Sequence, residues 1–267
     1  MREKANGIEM QYEISGPESA PVVVCSHCLA GSSAIWDFQV EILQSKYRVL
    51  RYDIRGHGGS SAPEGAYTME MLASDIAALL KRLAIQKACF IGISMGGMIG
   101  QTLALMHPEK VSGLVLCDTA CMVPEAMRPV WEDRIRTATE KGMAAMVDET
   151  MARWFSPGFM ESHPETTGKI RDIILKTPVP GFVGCSHAIS NFTVHEALFG
   201  LSVPTLIMVG ENDPGTPVEA ARQIHEAIRN SVMKELPGAY HLSNIEAADE
   251  FNENLLAFLA KTNSRGV

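Results

Sequence analysis

The stretch Phe90-Ile-Gly92-Ile-Ser94-Met-Gly96-Gly97 sets a G-x-S-x-G pattern on the boundary between two kinds of secondary structure. Upstream, Ala88 to Ile93 is an uninterrupted apolar run, the pattern of a strand buried on both faces; downstream, Met95 to His107 reads as a helix stopped by Pro108. Passing from strand to helix through one residue strains the backbone there and crowds its neighbours. The residues two before and two after the serine must therefore be nearly bare. With the next apolar run, Val111 to Cys117, the pattern becomes strand, helix, strand, which requires a parallel sheet with right-handed crossovers. Ser94 would then stand at the carboxyl edge of the sheet and at a helix N-terminus. Free N–H groups and the helix dipole favour negative charge there, so the Met95 N–H is expected to be one oxyanion donor.

The same alternation runs outward from this point. Strands are expected at Ile8 to Ile14, Pro21 to Ser26 and Tyr47 to Ile54, and Thr68 can cap a helix whose apolar stripe is Leu72, Ile76, Leu79, Leu80 and Leu83. After Asp118 the pattern changes for about seventy residues: Trp131 to Lys141, Met143 to Phe155 and Ile170 to Leu175 read as helices with no strand between them. The sheet pattern returns with Pro204 to Gly210, a helix Pro217 to Ile228, a short strand Val232 to Leu236 and a helix Phe251 to Leu259. The expectation is one α/β domain, residues 1–120 and 197–267, with a mostly parallel twisted sheet flanked by helices and a helical lid inserted at 121–196.

A serine hydroxyl is a weak nucleophile at neutral pH and needs a histidine base held in one tautomer by an acid. The chain supplies them in loops at strand ends: Asp213 in Gly-Glu-Asn-Asp-Pro-Gly and His241 in Gly-Ala-Tyr-His-Leu-Ser. The order Ser94, Asp213, His241 is the one this strand–turn–helix context calls for. Asp118 also ends a strand and is a rival orienting acid, with Glu211 a lesser one. The other loop histidines, His57, His107, His163, His187, His195 and His225, read as exposed. A second oxyanion N–H is expected from His27-Cys-Leu-Ala-Gly31, with Leu29 the candidate. Cys28, Trp36, Trp131, Trp154 and Arg153 are candidates for the substrate pocket. The tryptophans also suit plain packing, and Arg153 also suits a solvated charge.

With 23 basic against 31 acidic residues the formal charge is −8, which disfavours nucleic-acid phosphates and anionic membranes as partners. The N-terminus lacks the apolar core of a signal peptide and no apolar run is long enough to span a bilayer, so a cytoplasmic location is expected. Cys25, Cys28, Cys89, Cys117, Cys121 and Cys185 lie mostly in strand-like apolar runs and are expected to be reduced.

Arg51-Tyr-Asp-Ile-Arg-Gly-His-Gly-Gly-Ser60, Gly92-Ile-Ser-Met-Gly-Gly97, Ala152-Arg-Trp-Phe155 and His241-Leu-Ser-Asn-Ile-Glu246 together resemble the α/β-hydrolase superfamily, and within it the 3-oxoadipate enol-lactone hydrolases and related esterases and cofactor-free perhydrolases. The resemblance spans nearly the whole chain. It implies hydrolysis of a small lactone or ester through an acyl-serine, without metal or organic cofactor, in a chain that could form a homo-oligomer. The chain reads Ser26-His-Cys-Leu-Ala30 where enol-lactonases read Ser-Asn-Ser-Leu-Gly, and Ser190-Asn-Phe192 where they carry an acidic residue. Two alternatives stay open: acyl transfer to peroxide in place of water, and a non-catalytic small-molecule receptor on the same fold.

Overall fold

The structure, a computed structural model, describes residues 1–263. Eight strands form one sheet: β1 (Arg2–Ala5), β2 (Ile8–Ser15), β3 (Val22–Ser26), β4 (Arg48–Tyr52), β5 (Ala88–Ile93), β6 (Val111–Cys117), β7 (Thr205–Gly210) and β8 (Ser231–Leu236), in the order β1-β2-β4-β3-β5-β6-β7-β8. From β4 onward every pairing is parallel, while β1 and β2 add an antiparallel edge. Central β5 and β7 are buried along their whole length, as their continuous apolar runs require. Strand β1 carries no apolar alternation and is not legible as a strand. Its local signal is the Asn6-Gly7 turn, with φ of 45° and 80°, the two positive angles of a tight hairpin.

The helices are α1 (Asp37–Leu43), α2 (Met69–Arg82), α3 (Met95–Met106), α4 (Arg128–Lys141), α5 (Val147–Trp154), α6 (Pro157–Ser162), α7 (Pro164–Lys176), α8 (Val179–Ser190), α9 (His195–Leu198), α10 (Val218–Ala227), α11 (Ser243–Glu246) and α12 (Ala248–Asn263). Thr68 caps α2, its hydroxyl accepting from the Met71 N–H at 3.1 Å. Among the described residues none of these helices is long and apolar enough to cross a membrane.

Helices α4 to α9 fill the connection between β6 and β7. A two-way bridge closes its base: Val123 N–H donates to Phe192 O and Val194 N–H to Cys121 O, each at 2.8 Å. Here the structure departs from the spacing. The helix expected over Met143 to Phe155 divides into a 3-10 turn, Met143–Met146, and α5, and the one expected at Ile170 begins six residues earlier, at Pro164. Helix α8 was missed altogether because Pro178 and Pro180 read as a stop; proline in the first turn instead starts a helix, where its lacking N–H costs nothing. Its glycines are places of close approach. A Cβ on Gly181 would lie 1.9 Å from Gly56 O, and one on Gly184 2.7 Å from the Tyr67 ring, so packing overrides weak helix propensity.

Parallel register aligns the carboxyl ends of the central strands: Ser26 pairs with Gly92, Ile93 with Cys117, and Cys117 with Met208. The loops after β3, β5, β6 and β7 therefore open on one edge of the sheet, over a core of buried apolar side chains on both faces.

One buried ion pair fixes the turn after β4. Arg55 donates to Asp75 of α2 at 2.6 and 2.7 Å and to Asn6 O at 3.1 Å, while Asn6 Nδ2 donates to Asp75 at 2.7 Å. Removing one partner strands a charge in the interior. Asp75→Ala is expected to cost about 3–5 kcal/mol in urea unfolding, and a loss under ~1 kcal/mol would show that the pair does not hold the turn.

Candidate active site

Ser94 sits between β5 and α3 with φ 56° and ψ −119°, a conformation costly for a residue with a Cβ. It is held on all sides. Its N–H donates to Cys117 O at 2.8 Å, and its carbonyl accepts from the Gly97 N–H at 2.9 Å, the Met98 N–H at 3.1 Å and the Thr119 hydroxyl at 2.7 Å. The flanking glycines are steric necessities: a Cβ on Gly92 would lie 2.2 Å from Gly96 O, and one on Gly96 2.2 Å from Ser26 O. Ser94 is half-buried and Met95, which follows it in α3, is fully buried.

The loop Asn212 to Thr216 after β7 presents Asp213, and the loop after β8 presents His241. Asp213 Oδ2 lies 2.7 Å from His241 Nδ1. The Gly215 N–H at 2.7 Å, the Thr216 N–H at 3.1 Å and the Thr216 hydroxyl at 2.6 Å also donate to this carboxylate. Burial pushes the Asp213 carboxyl up, but the neighbouring His241 and these hydrogen bonds outweigh it and leave its pKa below the ordinary value. Thr216 was not singled out from sequence, although Asp-Pro-Gly-Thr is a turn whose fourth residue returns to the first.

Asp118, the rival acid, faces elsewhere. Its Oδ1 accepts from the Gly210 N–H at 2.8 Å and its Oδ2 from the Ser243 hydroxyl at 2.5 Å. Burial and then the charge of Asp213 push its carboxyl well above the usual range, against the pull of those donors. Glu211 accepts from the Gly238 N–H at 2.9 Å, capping an exposed turn.

The His241 loop is tied to the helical insertion. Leu242 N–H donates to Trp154 O at 3.1 Å, and Glu246 bridges the two, accepting from the Tyr240 N–H at 2.8 Å and the Ser156 N–H at 3.0 Å. Glu246 ends the quoted His-Leu-Ser-Asn-Ile-Glu pattern, and this bridge is the physical content of that spacing.

The loop after β3 is fixed by two buried histidines, and here the expectation of an exposed His57 fails. The Ala30 N–H donates to His57 Nε2 and the Ile54 N–H to His27 Nε2, each at 2.9 Å, so each turn is pinned by the other's imidazole. The rings meet edge to face at 5.2 Å. An Nε2 that accepts from a backbone N–H carries no proton, so both rings are neutral with Nδ1 donating: His27 to Cys28 O at 2.8 Å, His57 to Arg55 O at 3.2 Å. Burial lowers both pKa values, and with His27 beside it His57 falls to about 3. His57 is buried because its Gly-rich turn folds under the loop it holds. His107, His187 and His195 are half-buried, and His163 and His225 exposed.

Leu29 lies between these fixed points, since Cys28 O also accepts from the Gly31 N–H at 3.1 Å and Ala30 takes a φ of 60°. Cys28 is fully buried and its thiol is pushed up by burial, as are the other five cysteines, all unbridged. Trp36 packs fully buried against Phe251 at 6.3 Å, in the core beside α12. Trp154 is buried at the end of α5, Trp131 is half-buried on α4 and Arg153 is half-buried one residue before Trp154.

Neutral buried histidines make stability fall in acid. An unfolded histidine takes its proton near pH ~6.5, so below that pH the unfolded chain binds more protons than the folded one. The contribution of His57 is complete above ~6.5 and declines toward pH 3 by about 1.4 kcal/mol per pH unit. Urea midpoints measured from pH 7 to pH 5 should fall, and His57→Gln should flatten the slope by roughly one proton; an unchanged slope would contradict a neutral His57.

Residues 21–248 match the family described as alpha/beta hydrolase fold. The 3-oxoadipate enol-lactonase 2 of Acinetobacter baylyi is 34% identical over 259 residues, covering 97% of this chain and 96% of the relative. An enol-lactonase structure from Burkholderia xenovorans LB400 superposes with a TM-score of 0.94 at 36% identity, covering 97% of this chain and all of that one. A thermophilic esterase of Thermogutta terrifontis, with malate bound, gives 0.92 at 28% identity and covers 98% and 99%. The strained serine between β5 and α3, the sheet order and these near full-length matches together make the chain a member of the α/β-hydrolase fold family.

Proposed function

We propose that the chain hydrolyses a small lactone or carboxylic ester through an acyl-serine on Ser94. The observation that carries this reading is the Asp213–His241 contact, 2.7 Å between Oδ2 and Nδ1, which leaves His241 Nε2 as the ring's basic nitrogen. The enol-lactonase relatives, matched over nearly their whole length, support a lactone as substrate.

In this reading His241 Nε2 takes the Ser94 hydroxyl proton as Oγ bonds to the substrate carbonyl carbon, and Asp213 stays ionised beneath the imidazolium. The Met95 and Leu29 N–H groups bind the oxyanion. Collapse breaks the acyl C–O bond, and the leaving oxygen takes the proton back from His241; in a lactone that oxygen remains on the acyl chain. Water then attacks the ester on Ser94, gives its proton to His241, and the acid leaves as Ser94 recovers the proton. Helices α4 to α8, over residues 121–196, act as the roof that shapes the pocket, with Cys28 at its edge and Trp131, Trp154 and Arg153 in it. The six buried, unbridged cysteines suit a reducing compartment such as the cytoplasm.

The test is steady-state hydrolysis of γ-lactones and p-nitrophenyl esters. Ser94→Ala should reduce kcat by about 10^5-fold or more with the fold intact, and Asp213→Asn by roughly 10^3–10^4-fold by losing the correct tautomer. Asp118→Asn should lose less than Asp213→Asn. Turnover surviving in Ser94→Ala, or Asp118→Asn matching Asp213→Asn, would contradict the assignment.

A further inference from the structure

Asp118 is wholly buried at the end of β6, and among the described residues no lysine, arginine or histidine forms an ion pair with it. Its backbone takes a φ of 44°, so with Ala30 and Ser94 it is one of the side-chain-bearing residues at the carboxyl edge of the sheet held in the left-handed region. Such a conformation persists only where its surroundings over-determine it. Here three segments do so. The Asp118 N–H donates to Met208 O of β7 at 2.9 Å, and the peptide just before it offers Cys117 O to the Ser94 N–H.

The Asp118 side chain then joins the two loops that carry Asp213 and His241. Its Oδ1 accepts from the Gly210 N–H, and the Gly210 carbonyl accepts from the Asp213 N–H at 3.1 Å, which sets the start of the Asp213 loop. Its Oδ2 lies 2.5 Å from the hydroxyl oxygen of Ser243, two residues beyond His241. The titratable groups that act on this carboxyl are Asp213 from the loop after β7, Cys28 from the loop after β3 and Cys117 on β6 itself, while His241 binds Asp213. Burial keeps both thiols neutral, so the one charge among these three is negative. A buried carboxylate elsewhere in the molecule, Asp75, is matched by Arg55; Asp118 has no such partner.

We propose that Asp118 is a positioning residue that holds the Asp213 and His241 loops at the spacing their contact requires, and that it does so as a neutral carboxylic acid. Oδ1, facing the Gly210 N–H, is then the carbonyl oxygen, and the proton lies on Oδ2 against Ser243 Oγ. Neutrality matters to the reaction. A second anion beside Asp213 would favour the imidazolium form of His241 and withdraw the base near neutral pH. A neutral acid ties the same loops without that charge. The proposal rests on the acyl-serine reading for what His241 does, whereas the protonation of Asp118 is measurable without turnover.

The experiment compares Asp118→Asn, which keeps an acceptor for Gly210 and a donor for Ser243, with Asp118→Ala and Ser243→Ala on p-nitrophenyl acetate. Asp118→Asn should keep kcat within about threefold of wild type, and the alanine variants should lose about tenfold or more in kcat with KM nearly unchanged. Ser243→Ala keeps the test open should Asp118→Ala fail to fold. The acid limb of kcat/KM against pH should coincide in wild type and Asp118→Asn, because no charge is removed. Were Asp118 an anion, its loss would move that limb to lower pH by about half a unit or more. Folding supplies a second readout. Unfolded Asp118 ionises with a pKa of ~4, so between pH 5 and pH 7 the wild type should take up roughly one proton more on folding than Asp118→Asn, and its urea stability should rise less steeply with pH. The histidines contribute equally to both proteins. A displaced limb, equal proton uptake, or an Asp118→Asn as slow as Asp118→Ala overturns the neutral acid, and full kcat in both alanine variants overturns the positioning role. If the wild type does not cleave the ester, the acyl-serine reading fails, and the proton uptake alone decides the state of Asp118.

Discussion

The backbone of Ser94 is the constraint on which the rest of the site depends. A residue with a side chain at φ 56° and ψ −119° costs of order 1–3 kcal/mol and persists only where its surroundings over-determine it. The surroundings come from two strands and a helix: Cys117 O and Thr119 from the end of β6, and the bare backbone of Gly96 in α3 against Ser26 at the end of β3. The strain is therefore borne by the centre of the sheet, the part with the most buried apolar contact. It keeps Ser94 half-exposed at the start of α3 when everything around it is buried.

Two acids beneath the site are driven apart by their partners. Asp213 has a cation-forming imidazole and three donors, and its ionised form is favoured; Asp118 has Ser243, Gly210 and a like charge nearby, and its ionised form is not. The pair of carboxyls thus leaves one negative charge in contact with His241. In the loop after β3 the polar problem is solved with neutral groups, as His27 and His57 each accept one backbone N–H from the other's turn. That exchange positions the peptide of Leu29, the proposed oxyanion donor, with neutral rings on either side of the loop.

The parallel part of the sheet and the loops that bring Asp213 to His241 were legible from the sequence because each rests on local signals: buried apolar runs, a glycine-bracketed serine, and loop residues at strand ends. The order of the strands did not follow from chain order, since β4 lies between β2 and β3. What was not legible depended on contacts between distant segments. His57 read as exposed because nothing local shows that its turn lies under residues 27–31, although the glycines flanking it, Gly56 and Gly58, both adopt positive φ and mark a tight turn. Helix α8 was hidden by its prolines and glycines, which are helix breakers by propensity and contact points against Gly56 and Tyr67 in the fold. Arg153 looked like a solvated charge since nothing in the local sequence of α5 shows that its Nε is buried.

The account turns on whether Ser94 carries the acyl group. A short-lived ester with a slow-deacylating acyl donor, quenched in acid within the first turnover and mapped by peptide mass spectrometry, reads this directly. An adduct with the mass of the acyl group on the peptide bearing Ser94, formed in step with the first equivalent of released alcohol, is the expected result. Full release of alcohol with no adduct, or an adduct on another residue, would contradict it.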